Sequence, residues 1–225
     1  MSLAEAIMDP AARARIRRAI AGRTADEPAF AAAWAEACAI ESPFAGGEAP
    51  SDVAIDAAQA GLVAMAQEFA EQIEAPSWRL RALRGIGAAT ARRDVFDAAL
   101  TFARAAQSGH FLAVELRDIA IAQGQAGLFA DALETRLEIA NQPDRAILDT
   151  NLVGLLIDQQ VFSQAAAIIC GSADSFTRVR QLSAIVDAQS RAGAPEEAFY
   201  TALGISTTYF RATALRAVAA ALDGE

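Results

Sequence analysis

The sequence predicts an all-α fold: a right-handed solenoid of stacked antiparallel helix pairs with a 33-residue period. Three observations carry this reading. The 225-residue chain is 54% hydrophobic but only 7% aromatic, and alanine is its commonest residue. Small side chains favour tight helix-on-helix packing, whereas sheets want more β-branched and aromatic residues. Helix punctuation recurs every 10 to 16 residues, about the length of a globular helix. Aliphatic residues then return in one phase along nearly the whole chain.

In chain order, Asp9-Pro10 reads as an N-cap followed by first-turn proline, and Gly22 closes that segment. Thr24 to Glu27 has capping-box spacing ahead of the run FAAAWAEACAI. Pro43, Gly46, Gly47 and Pro50 predict a loop, after which Ser51 can cap a helix. Pro76 stops one helix and Ser77 starts another. Gly109, Gly127, Pro143, Gly171, Gly193 and Gly204 continue the punctuation. No segment shows the period-2 alternation of a strand.

Internal repetition is the strongest signal. Steps of 33 residues connect Ile20, Val53, Ile86, Ile119, Leu152, Ile185 and Val218, all aliphatic. The same step connects Ala33, Ala66, Ala99, Ala132, Ala165 and Ala198. A third column holds Phe96, Phe129 and Phe162 until Pro195 interrupts it, and a fourth holds Leu83, Leu116, Leu182 and Leu215, with Asp149 the exception. Each unit therefore has a first helix carrying Leu-x-x-Ile and a second carrying a small residue. One hairpin cannot bury its apolar face alone, so neighbours must stack. Residues 1–44 are expected to form a helical N-terminal cap or degenerate repeat, and 51–225 one continuous helical-repeat domain of five to six hairpins.

The spacing Leu116, Ile119-Ala120, Gly127, Ala132-Leu133 resembles the tetratricopeptide repeat, as does Leu182, Ile185, Gly193, Ala198-Phe199. The resemblance runs from Ser51 to Leu222. It has departures. The period is one residue short, the family's large first-helix aromatic is replaced by Thr90, Gln123, Leu156 and Gln189, and its late proline recurs only near Pro76 and Pro143. A related helical-hairpin solenoid fits the same pattern. The resemblance implies an interaction scaffold and no chemistry.

Composition narrows function further. The net charge is −9, a field that opposes binding to nucleic acid or anionic membrane without a strong basic patch. No run reaches a membrane span, and the basic cluster Arg13, Arg15, Arg17, Arg18 follows the weakly apolar start instead of preceding it, so a cytoplasmic protein is expected. Two cysteines, Cys38 and Cys170, lie four periods apart. They are expected to be free thiols packed in apolar helices, too far apart for a disulfide. With one histidine, His110, and no CxxC, a zinc site is unsupported. Glu134 and Glu138 read as a solvated face, and no nucleophile or phosphate-loop motif is present. No catalytic residue, metal or cofactor is assigned.

Arg79, Arg145, Arg178 and Arg211 recur at the period near first-helix starts, where a cation is unfavourable. A structural partner is expected for them, a carboxylate or an exposed carbonyl of the preceding unit. Arg211 to Leu222 reads as a first helix with no second helix after it. Leu215, Val218 and Leu222 should pack inward, leaving Ala214, Ala217 and Ala221 as an edge. That edge is either a two-fold homodimer contact or an exposed helix end.

First helices line the concave face of such a solenoid, and a stripe beside the core should face its groove. The stripe reads Arg81, Arg84, Ala88, Arg92; then Val114, Arg117, Ile121, Gln125; then Ile147, Thr150, Gly154, Asp158; then Arg180, Ser183, Asp187, Arg191; it ends Thr213, Arg216. Two interpretations stand. The arginines with Val114, Ile121 and Ile147 form a groove for another protein or an acidic, partly apolar peptide. Alternatively, the arginines are a solvated face balanced by nearby acids. In function the first gives a non-catalytic peptide-binding scaffold; the competing class is a homo-oligomeric structural or regulatory component.

Overall fold

The protein's structure is a computed structural model that describes residues 9–40, 47–171 and 175–223. Thirteen helices and no strand occur among the described residues. In order they are α1 (Pro10–Thr24), α2 (Glu27–Cys38), α3 (Glu48–Gln59), α4 (Val63–Gln72), α5 (Pro76–Thr90), α6 (Arg93–Ala106), α7 (Gly109–Gln125), α8 (Phe129–Glu138), α9 (Gln142–Asp158), α10 (Phe162–Cys170), α11 (Ser175–Arg191), α12 (Pro195–Leu203) and α13 (Thr208–Asp223). They gather into two compact units, whose boundary falls between Glu138 and Ile139.

Local chemistry sets most boundaries. Asp9 caps α1 as expected, its carboxylate accepting from Ala11 N at 3.1 Å and Ala12 N at 3.2 Å, with Pro10 beginning the helix. The helix does not stop at Gly22. It runs on to Thr24 and ends where Ala25 turns left-handed. Thr24 is therefore no cap for α2; its hydroxyl bonds back to Ile20 O at 3.2 Å, and Asp26 holds the N-cap position. Ser51 likewise lies inside α3, its hydroxyl 2.8 Å from Glu48 O, so the helical chain resumes at Glu48. Pro50 is in the first turn of that helix, where proline is tolerated. Pro43 and Gly46, expected to mark a loop, lie outside the described residues. Pro76 does not end a helix: it opens α5, four residues after α4 ends.

Within each unit the helices pair as hairpins. The pairs α1–α2, α3–α4, α5–α6 and α7–α8 in the first unit, and α9–α10 and α11–α12 in the second, each pack on one another. Turns of two or three residues join them. One residue in every such turn is left-handed: Ala25, Gly61, Ala91, Gly127, Gln160 and Gly193. Successive first helices also touch, α1 to α3 to α5 to α7 in one unit and α9 to α11 to α13 in the other.

The core lies between the two helices of each pair. Ala33, Ala66, Ala99, Ala132, Ala165 and Ala198 are all fully buried, and so are Ile86, Ile119, Leu152 and Ile185, with Val53 and Val218 nearly so. Burial of such aliphatic side chains contributes roughly 1.5–3 kcal/mol each. Ile20 departs from the column. It is 48% exposed because α1 turns Ala14 and Ala21 inward instead. Close approach also explains Gly87: a Cβ there would sit 2.8 Å from the Phe96 ring of α6. The four positions that differ from the tetratricopeptide pattern lie at this interface. Gln123, Leu156 and Gln189 are buried, and Thr90 is half-buried with its hydroxyl 2.8 Å from Ile86 O. Gln123 uses its burial: Thr135 Oγ1 of α8 is 2.9 Å from Gln123 Oε1.

Two of the recurrent arginines have the expected carbonyl partners. Arg79 donates to Glu71 O at 3.2 Å and lies 4.5 Å from the centre of the Phe102 ring, while Arg145 donates through Nε to Ile139 O at 3.0 Å. The cysteines are free, but they do not pack in the core. Each is the last residue of its helix and exposed. Burial of its surroundings still pushes the Cys38 thiol above its ordinary pKa.

In α13, Val218 faces inward as expected and Leu215 is half-buried. Ala214, assigned to the free edge, is buried, and Leu222, assigned to the core, is 67% exposed. Thus Ala214, Ala217 and Ala221 do not form the exposed edge expected for a two-fold contact. Ala214 packs inward, which turns the end of the helix so that its leucine faces out.

Candidate functional site

A cavity in the first unit is lined by side chains of α3, α5 and α7. Residues three, four and seven apart on a helix share a face, so Arg81, Arg84 and Ala88 align on α5, and Asp118, Ile121 and Gln125 align on α7. Together with Ile55 of α3 they line a cavity of about 360 Å³. Gly85 lies at its base, where an added Cβ would come 2.5 Å from Ile55 Cδ1. The floor is thus aliphatic, from Ile55, Ala88 and Ile121.

The rim is charged and internally paired. Arg18 of α1 pairs with Asp52 and, at 2.7 Å, with Asp56. Arg81 reaches the other oxygen of Asp52 at 2.6 Å, donates to Ser51 Oγ, and lies over the Trp78 ring at 5.6 Å. Arg84 spans to Asp118 at 3.2 Å and Glu115 at 3.6 Å, and Arg117 meets Asp118 at 2.8 Å. Four arginines therefore face four carboxylates, and the row runs from α1 through α3 and α5 to α7. All are half-buried. Desolvation pushes Glu115 up from the usual carboxylate range, an effect that Arg84 opposes, and pushes Asp56 up in the same way, with Arg18 opposing.

The structure brings only some of the expected groove residues together. Arg81, Arg84, Ala88, Ile121 and Gln125 line the cavity. Arg117 and Val114 are half-buried on α7 and are not among the residues lining the cavity, although Arg117 pairs with the lining residue Asp118. Arg92 is not on a first helix at all. It follows the end of α5, caps α6 and is held by Asp94 at 2.6 Å, because Ala91 has already turned the chain. Ile147, Arg180, Arg191 and Arg216 belong to the second unit and are exposed, Arg191 bonding to Asp187 O of its own helix at 3.2 Å. The sequence reading missed Ser51 and Ile55, although they stand one 33-residue step before Arg84 and Ala88. Extending the stripe backwards would have found them. It also missed the carboxylate partners Asp52 and Asp118, which lie two steps apart.

Each carboxylate of the row faces a guanidinium, and the lone His110 is exposed beside Phe111. No helix among the described residues is long and apolar enough to cross a membrane.

No family model matches the chain, and no curated protein matches it. Among solved structures, it is similar to the crystal structure of Ton1535 from Thermococcus onnurineus NA1. That similarity has 18% identity over 96% of this chain and 81% of that chain, at a TM-score of 0.34, a level that carries no argument.

Proposed function

We propose that the chain is a non-catalytic, cytoplasmic binding scaffold built from tetratricopeptide-like hairpins. In this reading the 33-residue period is the structural repeat of a right-handed stack. Three in-phase features support the repeat: the buried alanines, the buried aliphatics from Val53 to Val218, and the left-handed turn residues Gly61, Gly127, Gln160 and Gly193, which stand at multiples of 33.

One observation carries the binding role: an open cavity with an aliphatic floor, rimmed by half-buried arginines already held in place by ion pairs. Half-exposed ion pairs contribute only about 0–1 kcal/mol. A ligand carboxylate can therefore take Arg81 or Arg84 from its internal partner at little cost, while an apolar side chain settles on Ile55, Ala88 and Ile121. The balanced rim gives no attraction to charge alone. The ligand class is an amphipathic peptide or helix of another protein, with an apolar anchor flanked by carboxylates.

The test is selection from a displayed peptide library, followed by fluorescence titration of the recovered peptides. Ala88→Trp, which fills the cavity from a half-exposed position, and Arg84→Glu should each weaken binding at least about tenfold, roughly 1.4 kcal/mol. Affinities unchanged by both, with helical content intact, would move the site elsewhere. The competing reading, a self-associating component, is favoured by a different observation at the chain's other end.

A further inference from the structure

The exposed large apolar side chains are unevenly spread. Phe111, Leu137, Ile147 and Phe176 are scattered on separate helices. The remainder gather in two places. On α1 they are Ile16, 40% exposed, and Ile20. On α12 and α13 they are Phe199, Tyr200, Leu203, Tyr209, Phe210 and Leu222. Three of the second cluster, Phe199, Tyr200 and Leu222, line a cavity of about 720 Å³ together with Pro195 and Val218, and Glu196 and Glu197 are also on its wall.

The α1 surface complements it in apolar character and in charge. Ala14 and Ala21 define the buried stripe of α1. Ile16, Ile20 and Arg23 follow one another at four and three residues on the opposite side, with Arg15 and Ala19 alongside. All five are exposed. The other arginines of α1 are committed: Arg13 and Arg17 to Glu36, and Arg18 to Asp52 and Asp56. Arg15 and Arg23 make no ion pair among the described residues, and neither do Glu196 and Glu197. An apolar helix face flanked by two open cations thus has its counterpart in an apolar cavity flanked by two open anions.

We propose that the chain self-associates head to tail, with α1 of one copy seated in the cavity between α12 and α13 of a second copy. Ile16 and Ile20 enter against Phe199, Tyr200 and Leu222, and Arg15 and Arg23 meet Glu196 and Glu197. The two surfaces differ, so the contact is heterologous and propagates to a closed ring or a filament. A two-fold contact of α12–α13 on itself would instead bring both copies' Glu196 and Glu197 into one interface, with no cation of α1 to meet them. This assembly does not depend on the groove of α3, α5 and α7.

Complementary blocking tests it. I16E/I20E closes the head and Y200E/L222E the tail, each changing exposed residues, with circular dichroism confirming the fold. In sedimentation equilibrium, the parent protein should gain mass with concentration and lose it as salt rises. Each blocked variant alone should be a monomer, and an equimolar mixture should form 1:1 dimers and stop there. A parent that stays monomeric at high micromolar concentration, blocked variants that still assemble, or a mixture that stays monomeric would each overturn the proposal. An I16E/I20E variant that still dimerises would indicate a two-fold contact of α12–α13 instead. A second pair keeps the apolar residues: R15E/R23E and E196R/E197R should each assemble poorly alone and recover association when mixed. No recovery refutes the charge pairing.

Discussion

The same position on the first helices is used differently in the two units. In steps of 33 it reads Arg18, Ser51, Arg84 and Arg117 in the first unit, then Thr150, Ser183 and Arg216 in the second. The next position reads Asp52, Gly85 and Asp118, then Asn151. In the first unit two of these arginines reach across, Arg18 of α1 to Asp52 of α3 and Arg84 of α5 to Asp118 of α7, while Ser51 also bonds back to Glu48 O. In the second, Thr150, Asn151 and Ser183 turn back on their own helices. Thr150 bonds Ala146 O at 3.0 Å, Asn151 bonds Ile147 O at 2.8 Å, and Ser183 bonds Val179 O at 3.0 Å. Both sets of first helices nevertheless pack through the same buried aliphatic column. The core holds the hairpins together, and the polar face beside it is free to vary.

The largest effects should therefore be equal in the two units. Ile86→Ala and Ile185→Ala each empty a fully buried site and should each cost about 2–5 kcal/mol, read as the loss in urea midpoint. A cost under about 1 kcal/mol for one of them, the range of surface changes, would show that the shared column does not serve both units alike.

Next comes the polar face itself. Asp52 serves both Arg18 and Arg81, so Asp52→Ala should destabilise the first unit by up to about 1 kcal/mol, and less at high salt. Asn151→Ala should change stability by no more than about 0.5 kcal/mol, with no salt dependence. Hydrogen exchange resolved to α3 and α9 measures both. Equal losses would erase the distinction between the two faces.

The smallest effect is in pH. Glu115 has its folded pKa raised above its ordinary 4.5 by desolvation. The folded state therefore holds a proton that the unfolded state releases. Its contribution is fully present below 4.5, falls as pH rises through the raised value, and is lost above it. Asp56 acts in the same direction above its ordinary 3.8. The first unit should thus firm slightly between neutral and mildly acid pH, seen as a slowing of α7 exchange at constant intrinsic rate. Glu115→Gln should flatten that slope. A slope of opposite sign would mean that Arg84, and not desolvation, governs the carboxylate.

Helical class, hairpin turns and buried columns were legible because they depend on period and on residue size, and both are written directly in the chain. Boundaries were less so. Ser51 and Thr24 have N-cap chemistry, yet each hydroxyl bonds back within its own helix, and composition does not show which way a hydroxyl turns. The site was half legible: Arg81, Arg84 and Ile121 follow from one stripe on α5 and α7. Their neutralisation does not, because Asp52 and Asp118 lie in an adjacent phase and meet the arginines only when helices stack. Leu222 was misassigned because rotation of α13 is set by Ala214 packing inward, a choice that small residues leave open.

The turns carry a consequence for adaptation. Three of the six left-handed positions hold glycine, whereas Ala25, Ala91 and Gln160 hold the same backbone at φ of 51°, 52° and 59° with a side chain attached. A left-handed L-residue costs about 1–2 kcal/mol, more than the roughly 0.4–1 kcal/mol by which glycine's freedom favours the unfolded chain. A single codon change at Ala25 or Ala91 thus lies open to a lineage that needs to tolerate more heat, or to absorb a damaging substitution elsewhere. Neither position is in the core or lines the groove of α3, α5 and α7. The loops, and not the packed interior, are where this fold keeps its evolutionary slack.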